Sequence, residues 1–562
     1  MQNDVLDFVD VTKKTGSYAD VLVAIGMADL LQEVKRVSTP TAAATIRDEG
    51  DHYRITIRPA LTSKDFEKWH PGPGYCYIKL KEDDPDCPPT GYYDYEAARG
   101  QEKVYKEYQE TLGKQATKVA KSLQEQGLEH PVPPPDDLPV IKTFNAMRMG
   151  SNSYNQLHKA LRETTGLSRL VMSRIGLANF DPALQQDEPP LKKAASVLQL
   201  FNPAAGKGTH RPKPDSSAAA GFSDKLADWF EEWLKFRAMH LAMLTYPVGD
   251  DTKVFIIAPE NATVNQIALL RQSLLAQRLF GSLWLDIQAI LSSAKFLIEH
   301  SQEYAGSQGV FTMRGHTPQD IIKGFNTTYF KSLGTASATM NISFLGLPGW
   351  LPVNSAQDAE DWLEIIAEHR GNLKSLNEKN SSDVPILQLY RDFISTGRLE
   401  LALEFFVLYG VHFMRRKAQK QWAEAFTTKN LRRLFMGYGL QEIIQNPGFQ
   451  NVARAIRRAT INAQMQKAIT GKTPFEIHYG LAQDWKRKVK FKDQFIIELA
   501  DFVQRYNNEN SRHMEQGKVR RALVTTKDLN EVVDLIEKHS SELVGMLLLA
   551  YGYARDPQET DE

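Results

Sequence analysis

The chain has few cysteines, no long apolar run and no net charge, and each lack excludes a class of protein. Cys76 and Cys87 are the only cysteines among 562 residues, which excludes a disulfide scaffold and favours a reducing compartment. No stretch reaches the roughly 18–20 apolar residues of a membrane span, and the best run, 542–554, is too short. The first residues carry acids where a secretory signal carries bases. We therefore expect a cytoplasmic protein with no membrane partner.

Charge is balanced over the whole chain but not along it. Lys+Arg and Asp+Glu both total 68, so a polyanion would have to be bound locally. Residues 411–490 contain 16 bases and 4 acids, whereas residues 351–410 contain 5 bases and 10 acids. Solvated helix faces usually mix both signs, so the basic segment predicts a surface that binds nucleic acid.

The periodicity of apolar residues changes once along the chain. Alternating strand patterns at 53–61, 75–81 and 253–260 are mixed with helical patterns in the first part. After about residue 354 almost every segment has a helical period. The sequence therefore predicts an α+β fold, with a mixed N-terminal α+β domain at 1–350 and an all-α C-terminal bundle at 351–562.

The basic residues of the bundle occur in clusters at helical spacing. Arg454, Arg457 and Arg458 stand at i, i+3 and i+4, which predicts that they project from one helical face. The other basic candidates are Arg415, Arg416, Lys429, Arg432, Arg433, Lys486, Arg487 and Lys488. We expect these groups to contact backbone phosphates without reading sequence. The alternative is a solvated helical face with no ligand.

A second group of polar residues lies in the first part of the chain, where 141–217 holds 11 bases and 5 acids. One set of candidates is Lys142, Asn145, Arg148, Asn152, Ser153, Asn155 and Lys159, and another, in the Gly- and Pro-rich loop 202–213, is Lys207, His210, Arg211 and Lys213. Amide and cationic donors of this kind suit base edges or a nucleic-acid backbone. The alternative is a surface loop with capping Asn and Ser.

Catalytic motifs are weak. The Lys of GKG at 206–208 is followed by Gly208 rather than Ser or Thr, so the phosphate-loop pattern fails. Cys76 and Cys87 stand farther apart than the usual ligand pairs of zinc sites. Asp250 and Asp251 are explained by a turn before a strand. We therefore expect no metal, no cofactor and no enzymatic activity.

Several stretches, in order along most of the chain, carry a family resemblance. They are YADVLVAIGMADLL, FNPAAGKGTH, DWFEEWLKFRAMHLAML followed by KVFIIAPE, NPGFQNVARAIRRAT, FEIHYGL, FVQRYNNEN and LLLAYGYARD. Together they resemble the large subunit of the type I CRISPR Cascade surveillance complex, most of all its I-A/I-B lineage. The resemblance implies an N-terminal α+β domain and a C-terminal bundle similar to a small subunit.

The resemblance also implies a non-catalytic role in RNA-guided antiviral defence. Its partners would be guide RNA, target double-stranded DNA, the displaced single strand and the backbone, guide-end-capping and small subunits. Segment 142–159 and loop 202–213 would face the protospacer-adjacent motif or the RNA 5′ end, and the bundle's bases would stabilise the displaced strand. A helicase-nuclease or transposition proteins would act downstream. Met414 or Met436 would be the internal start of a separately made bundle.

Two other functions stay open at this stage. A nucleoprotein that coats single-stranded RNA would also be long, helical and locally basic, but it would oligomerise on RNA alone. An enzyme using His70, Cys76, Cys87 or the Asp250–Asp251 pair would show metal-dependent activity that is lost in Asp250→Ala.

Overall fold

Helices and sheets are unevenly distributed in the computed structural model, which describes residues 5–112, 123, 132–147, 150–177, 188–201, 203, 227–277, 279–334, 337–473, 475–517 and 521–556. Every strand lies before residue 347, and helices dominate the rest of these residues. The predicted α+β fold class is confirmed.

The chain forms two compact units whose boundaries differ from the expected division after residue 350. The first unit is Met1–Phe280 with Gln319–Gly346, and the second is Gly281–Pro318 with Leu347–Glu562. Residues 281–318 therefore pack with the helical second unit, although they precede the last two strands in sequence. Apolar periodicity identifies a helix but not the unit that buries its apolar face.

The first unit contains two four-stranded antiparallel sheets and one short parallel pair. The strands are β1 Val5–Thr12, β2 Ala43–Asp48, β3 His52–Thr62, β4 Tyr77–Lys79, β5 Tyr92–Asp94, β6 Met243–Val248, β7 Asp251–Pro259, β8 Asn261–Thr263, β9 Ile322–Ser332 and β10 Ser337–Gly346. The sheet orders are β1-β3-β2-β8 and β10-β9-β7-β6, and β4 pairs with β5. The patterns at 53–61 and 253–260 thus predict real strands, whereas that at 75–81 yields only three residues.

The helices of the first unit cover these sheets. They are α1 Tyr18–Arg36, α2 Ser63–Lys68, α3 Tyr95–Leu112, α4 Leu138–Ala146, α5 Gly150–Glu163, α6 Leu167–Arg174, α7 Glu188–Ala194, α8 Trp229–Ala242 and α9 Val264–Ala276. Ser17 caps α1 as the sequence predicts, by accepting a hydrogen bond from the Ala19 amide. Gly26 lets α1 approach α8 closely, because a Cβ there would lie 2.0 Å from the Leu234 carbonyl oxygen.

The second unit is built from helices. They are α10 Leu283–Glu299, α11 Gln302–Ala305, α12 Ala356–Asn372, α13 Val384–Thr396, α14 Leu399–Ala418, α15 Thr428–Met436, α16 Gln441–Ile444, α17 Pro447–Arg457, α18 Ala463–Thr470, α19 Leu481–Lys488, α20 Lys492–Glu515, α21 Thr526–Lys538 and α22 Ser541–Gly552. A π-helical turn, Arg458–Asn462, joins α17 to α18. Residues 475–480 form a loop before α19.

The two methionines considered as internal starts lie within helices of the second unit. Met414 is buried inside α14 and Met436 ends α15, so a chain beginning at either residue would lack α12 and α13. Within the part of the chain that the structure describes, no helix combines the length and apolarity needed to cross a bilayer.

Candidate nucleic-acid interface

The basic candidates of the second unit lie on five neighbouring segments of chain. Arg415 and Arg416 end α14, Lys429, Arg432 and Arg433 lie on α15, Arg454 and Arg457 on α17, Arg458 in the π-helical turn, and Lys486, Arg487 and Lys488 on α19. Some of them form ion pairs with carboxylates and some line a cleft, and Lys429 and Arg457 do both.

Among the residues that the structure describes, at least seven of these bases form ion pairs with carboxylates of the same unit. The pairs are Arg415 with Asp383, Lys429 with Glu364, Arg433 with Asp358 and Asp361, Arg457 with Asp556, Lys486 with Glu404, Arg487 with Asp484, and Lys488 with Glu498. Most of these acids lie outside residues 411–490, so the excess of bases in that segment is reduced by tertiary contacts. In the described part of the chain, the eleven candidates therefore do not form one continuous basic surface.

Arg457 requires a correction. The helical spacing predicts that it projects to the surface beside Arg454 and Arg458, but Arg457 is only 4% exposed. Its Nε donates to the Ala554 carbonyl at 2.9 Å and one terminal nitrogen donates to the Tyr551 carbonyl at 3.3 Å. The guanidinium thus donates hydrogen bonds to carbonyl groups at the carboxyl end of α22, where the helix dipole also stabilises a positive charge.

Four of the predicted bases meet at one cleft, which we call the basic cleft. Its volume is about 450 Å³. Its lining consists of Thr428, Lys429, Arg432, Ile444, Gln450, Ala453, Arg454, Arg457, Tyr551 and Asp556. The cleft therefore joins two separate basic clusters of the sequence, one on α15 and one on α17. Asp556 is the one acid among the described residues of this lining.

Local sequence explains why the two helices present bases to the cleft. In α15, Leu431, Leu434 and Phe435 are buried, which leaves the other side of the helix to polar residues. In α17, the Asn446 side chain caps the helix by accepting from the Phe449 amide at 3.0 Å, and Pro447 occupies the first turn.

Charge and hydrogen bonding within the basic cleft favour an anion. Arg432 is exposed and makes no ion pair with any described carboxylate. Lys429 pairs with Glu364 at 2.7 Å, but both side chains are about half exposed or more, so the pair is weak and open to exchange. The Tyr551 hydroxyl is buried beside this charge, has no hydrogen-bond partner among the described residues, and has a pKa raised by burial.

The candidates in segment 142–159 are largely committed to the protein itself. Lys142 pairs with Glu102 at 2.9 Å, and Lys159 pairs with Asp86 at 2.7 Å. The amide and hydroxyl candidates differ in their exposure and hydrogen bonding. Asn155 bonds both the amide and the carbonyl of Ile78, Ser153 is 2% exposed, and Asn145 and Asn152 are exposed.

These contacts correct the expectation for part of that segment. Ser153 is buried, and both polar groups of the Asn155 amide are already bonded, so neither side chain is available to a base edge. Asn152 lines a cleft of about 340 Å³ that also contains Asp83, Asp84 and Asp86. These acids disfavour a phosphate backbone at that place.

The remaining candidates of the first part lie outside the described residues. They are Arg148, Lys207, His210, Arg211 and Lys213. The predictions made for them stay predictions.

The residues of the enzymatic alternative are not assembled into a site. Cys76 is an exposed free cysteine and Cys87 a half-buried one. Asp251 begins β7, and its carboxylate accepts from the Tyr329 hydroxyl at 2.5 Å and the Ser332 amide at 2.9 Å of the neighbouring strand β9. Among the residues that the structure describes, no group of three or more His, Cys, Asp or Glu is arranged to hold a metal ion.

A Ser–His–Asp arrangement that the sequence does not announce occurs inside the second unit. Ser375 Oγ is 3.1 Å from His412 Nε2, and His412 Nδ1 is 3.5 Å from Asp383. All three residues are at most 3% exposed. Because Arg415 donates to His412 Nδ1, the ring proton is on Nε2 and points to the serine, so the ring cannot act as its base. The arrangement is structural.

Sequence reasoning missed Tyr551 and Gln450 as lining residues of the basic cleft. Tyr551 lies in an apolar stretch that reads as core, and Gln450 carries no charge, so neither has a local signal.

No protein-family model matches the chain, and no curated protein matches it.

Proposed function

We propose that this chain is a non-catalytic nucleic-acid-binding protein whose basic cleft contacts backbone phosphates. The observation that carries the proposal is that bases from two sequence clusters, on α15 and α17, line one cleft. Arg432 is the principal contact, because it is exposed and makes no ion pair with any described carboxylate. Arg454 lines the same cleft from α17, whereas the donors of Arg457 are committed to carbonyls. Such contacts are independent of base sequence and sensitive to salt.

We propose further that the protein acts as the large subunit of a type I Cascade-like complex. It would recognise the protospacer-adjacent motif in duplex DNA, help to separate the strands, stabilise the displaced strand and recruit a helicase-nuclease or transposition proteins. The family resemblance is the source of this finer assignment. It is supported by the order of an α+β region before a helical region and by the exposure of Asn145.

The first experiment tests the basic cleft. Arg432→Ala with Arg454→Ala should weaken binding of a fluorescent single-stranded DNA by on the order of tenfold at low salt. The slope of log K against log salt concentration should fall by about 1.4, since each phosphate contact on a single strand contributes about 0.7. Fluorescence anisotropy at several salt concentrations measures both quantities.

A matched control removes two charges elsewhere in the same unit. Arg398 and Lys527 have side chains 63% and 84% exposed and do not line the cleft. Arg398→Ala with Lys527→Ala should leave affinity and slope unchanged within about twofold. Equal losses in both double variants would mean that total charge, rather than the cleft, determines binding, and an unchanged cleft variant would contradict the proposal.

A further inference from the structure

The second unit contains a second cleft, which we call the polar cleft. Its volume is about 480 Å³. It is lined by Glu476, His478, Arg505, Asn508, Glu509, Arg512, His513 and Gln516. None of these residues is among the basic candidates identified from sequence, because the arginines here are interspersed with acidic and amide residues and do not form a basic run.

One wall of the polar cleft is a face of α20. Arg505, Glu509 and Arg512 stand at i, i+4 and i+7, so the helical period places them on one side of the helix. Leu499, Val503 and Tyr506 are buried on the adjoining side, and their burial fixes the rotation of α20. The lining residues are therefore presented by a rigid element.

The opposite wall is the loop before α19, which hydrogen bonds hold to two neighbouring segments of the chain. The Glu476 amide donates to the Glu509 carboxylate at 2.6 Å, and the His478 amide donates to the Ala459 carbonyl at 2.9 Å. The ring of Phe475 packs edge-on against His513, with 4.7 Å between centroids. These contacts keep the cleft open without a ligand.

The polar cleft carries a small excess of positive charge, since Arg505, Arg512 and Arg521 are present beside Glu476 and Glu509. Glu509 is neutralised by Arg521, which donates to it at 2.6 Å and stacks on Phe475 and Tyr506. Arg505 and Arg512 are both exposed, and neither makes an ion pair with a carboxylate in the described part of the chain. Two free guanidinium groups thus face the cleft beside amide and imidazole groups.

The two clefts adjoin the same stretch of chain. Arg458 follows Arg454 of the basic cleft by one helical turn, and Ala459, the next residue, accepts the hydrogen bond that anchors the loop of the polar cleft. Arg458 is half-buried and makes no ion pair with a described carboxylate. A strand that leaves the basic cleft at Arg454 can therefore continue past Arg458.

We infer that the polar cleft is a second binding site for single-stranded nucleic acid and contacts bases as well as phosphates. The inference rests on the proposed function of the basic cleft. Arg505 and Arg512 bind phosphates, and Asn508 and Gln516 supply the paired donors and acceptors that unstacked base edges require. An acidic peptide, whose main chain also carries donors and acceptors, is the other occupant, and the test below distinguishes it.

The test uses the full-length chain and labelled single strands of about 20 nucleotides, either thymidine homopolymers or strands with abasic sites, at several salt concentrations. Arg505→Ala with Arg512→Ala should weaken binding to both strands by on the order of tenfold and lower the salt slope by about 1.4. Asn508→Ala should weaken binding only to the base-containing strand and leave the salt slope unchanged. Arg398→Ala with Lys527→Ala is the matched control.

The outcomes separate this inference from the proposed function. If Arg432→Ala with Arg454→Ala weakens binding and Arg505→Ala with Arg512→Ala does not, the inference fails and the basic cleft remains. If neither double variant weakens binding, the proposed function fails. Equal weakening of both strands by Asn508→Ala would overturn the base contact, and effective competition by polyglutamate would overturn the choice of nucleic acid.

Discussion

Adjacent residues of the same charge have opposite surroundings in this protein. Arg432 is exposed at the basic cleft, whereas Arg433 pairs with Asp358 and Asp361 and lies 5.9 Å from the Trp362 ring. One residue along a helix turns the side chain by about 100°, so neighbours face different environments. The residue type indicates that a basic side chain can bind an anion. The side chains around it in the fold determine whether it is already paired.

The buried hydroxyl of Tyr551 provides a prediction about stability. The hydroxyl lacks a hydrogen-bond partner among the described residues, so Tyr551→Phe removes an unsatisfied polar group and keeps the ring in place. The free energy of unfolding should stay the same or rise by about 1 kcal/mol. Urea denaturation measures it, and a loss above about 1 kcal/mol would show that the hydroxyl has a partner in the folded protein.

A buried histidine predicts how stability depends on pH. Burial lowers the pKa of His369 from 6.5 to about 3, and its Nδ1 lies 2.8 Å from the Tyr390 hydroxyl. The unfolded chain binds a proton near pH 6.5 while the folded chain keeps this ring neutral, so protons favour unfolding. The free energy of unfolding should therefore fall as pH falls from 6.5 towards 3, by up to about 1.4 kcal/mol per unit for this group.

The variant His369→Gln isolates that contribution. Glutamine retains a polar partner for Tyr390 but does not titrate, so the variant should be less stable at neutral pH and less dependent on acid than the parent protein. His158 and His412 have pKa values lowered to about 4 and contribute in the same direction in both proteins. Denaturation curves at a series of pH values compare the two slopes, and equal slopes would refute the assignment.

At the scale of elements, the walls of the basic cleft depend on close helix packing. Helices α17 and α22 approach each other at Gly552, where a Cβ would lie 2.3 Å from a methyl carbon of Ile456. Arg457 joins the same two helices through the carbonyls of Tyr551 and Ala554. The position of Arg454 on α17 therefore depends on contacts made by the other side of that helix.

Gly552→Ala tests this packing. The added methyl group should lower the free energy of unfolding by about 1–3 kcal/mol, because the core has no space for it. Displacement of α17 should also weaken DNA binding. Gly371→Ala is the control, since a Cβ at this helical glycine meets nothing within 4 Å and should stabilise by up to about 1 kcal/mol. Equal effects of the two substitutions would contradict the close approach.

At the scale of the whole molecule, ion pairs between segments distant in sequence neutralise part of the basic segment locally. Acids at 351–410 pair with four of the sixteen bases at 411–490, which are Arg415, Lys429, Arg433 and Lys486. The bases that line the two clefts are therefore a small part of the total. A limited set of contacts suits a subunit that holds a strand already guided by other components.

Stoichiometry tests that role. If the chain is a Cascade-like subunit, it should remain a monomer when mixed with single-stranded RNA and should enter a guide-bearing complex in one copy. Mass photometry of the chain, the RNA and the reconstituted complex counts the copies. Assembly into oligomers on RNA alone would instead favour an RNA-coating nucleoprotein.

The sequence by itself determined the mixed α+β class, the capped helix α1, the strands β3 and β7 and the helical character of the C-terminal part. These features follow from apolar periodicity and capping, which are local properties of the chain. It also located the basic segment but could not identify which of its bases are paired with acids, because ion pairing joins residues far apart in sequence. Only the tertiary structure brought Arg432 and Arg454 to one cleft, buried Arg457 and assembled the polar cleft, since those positions depend on helix packing and on contacts with other segments.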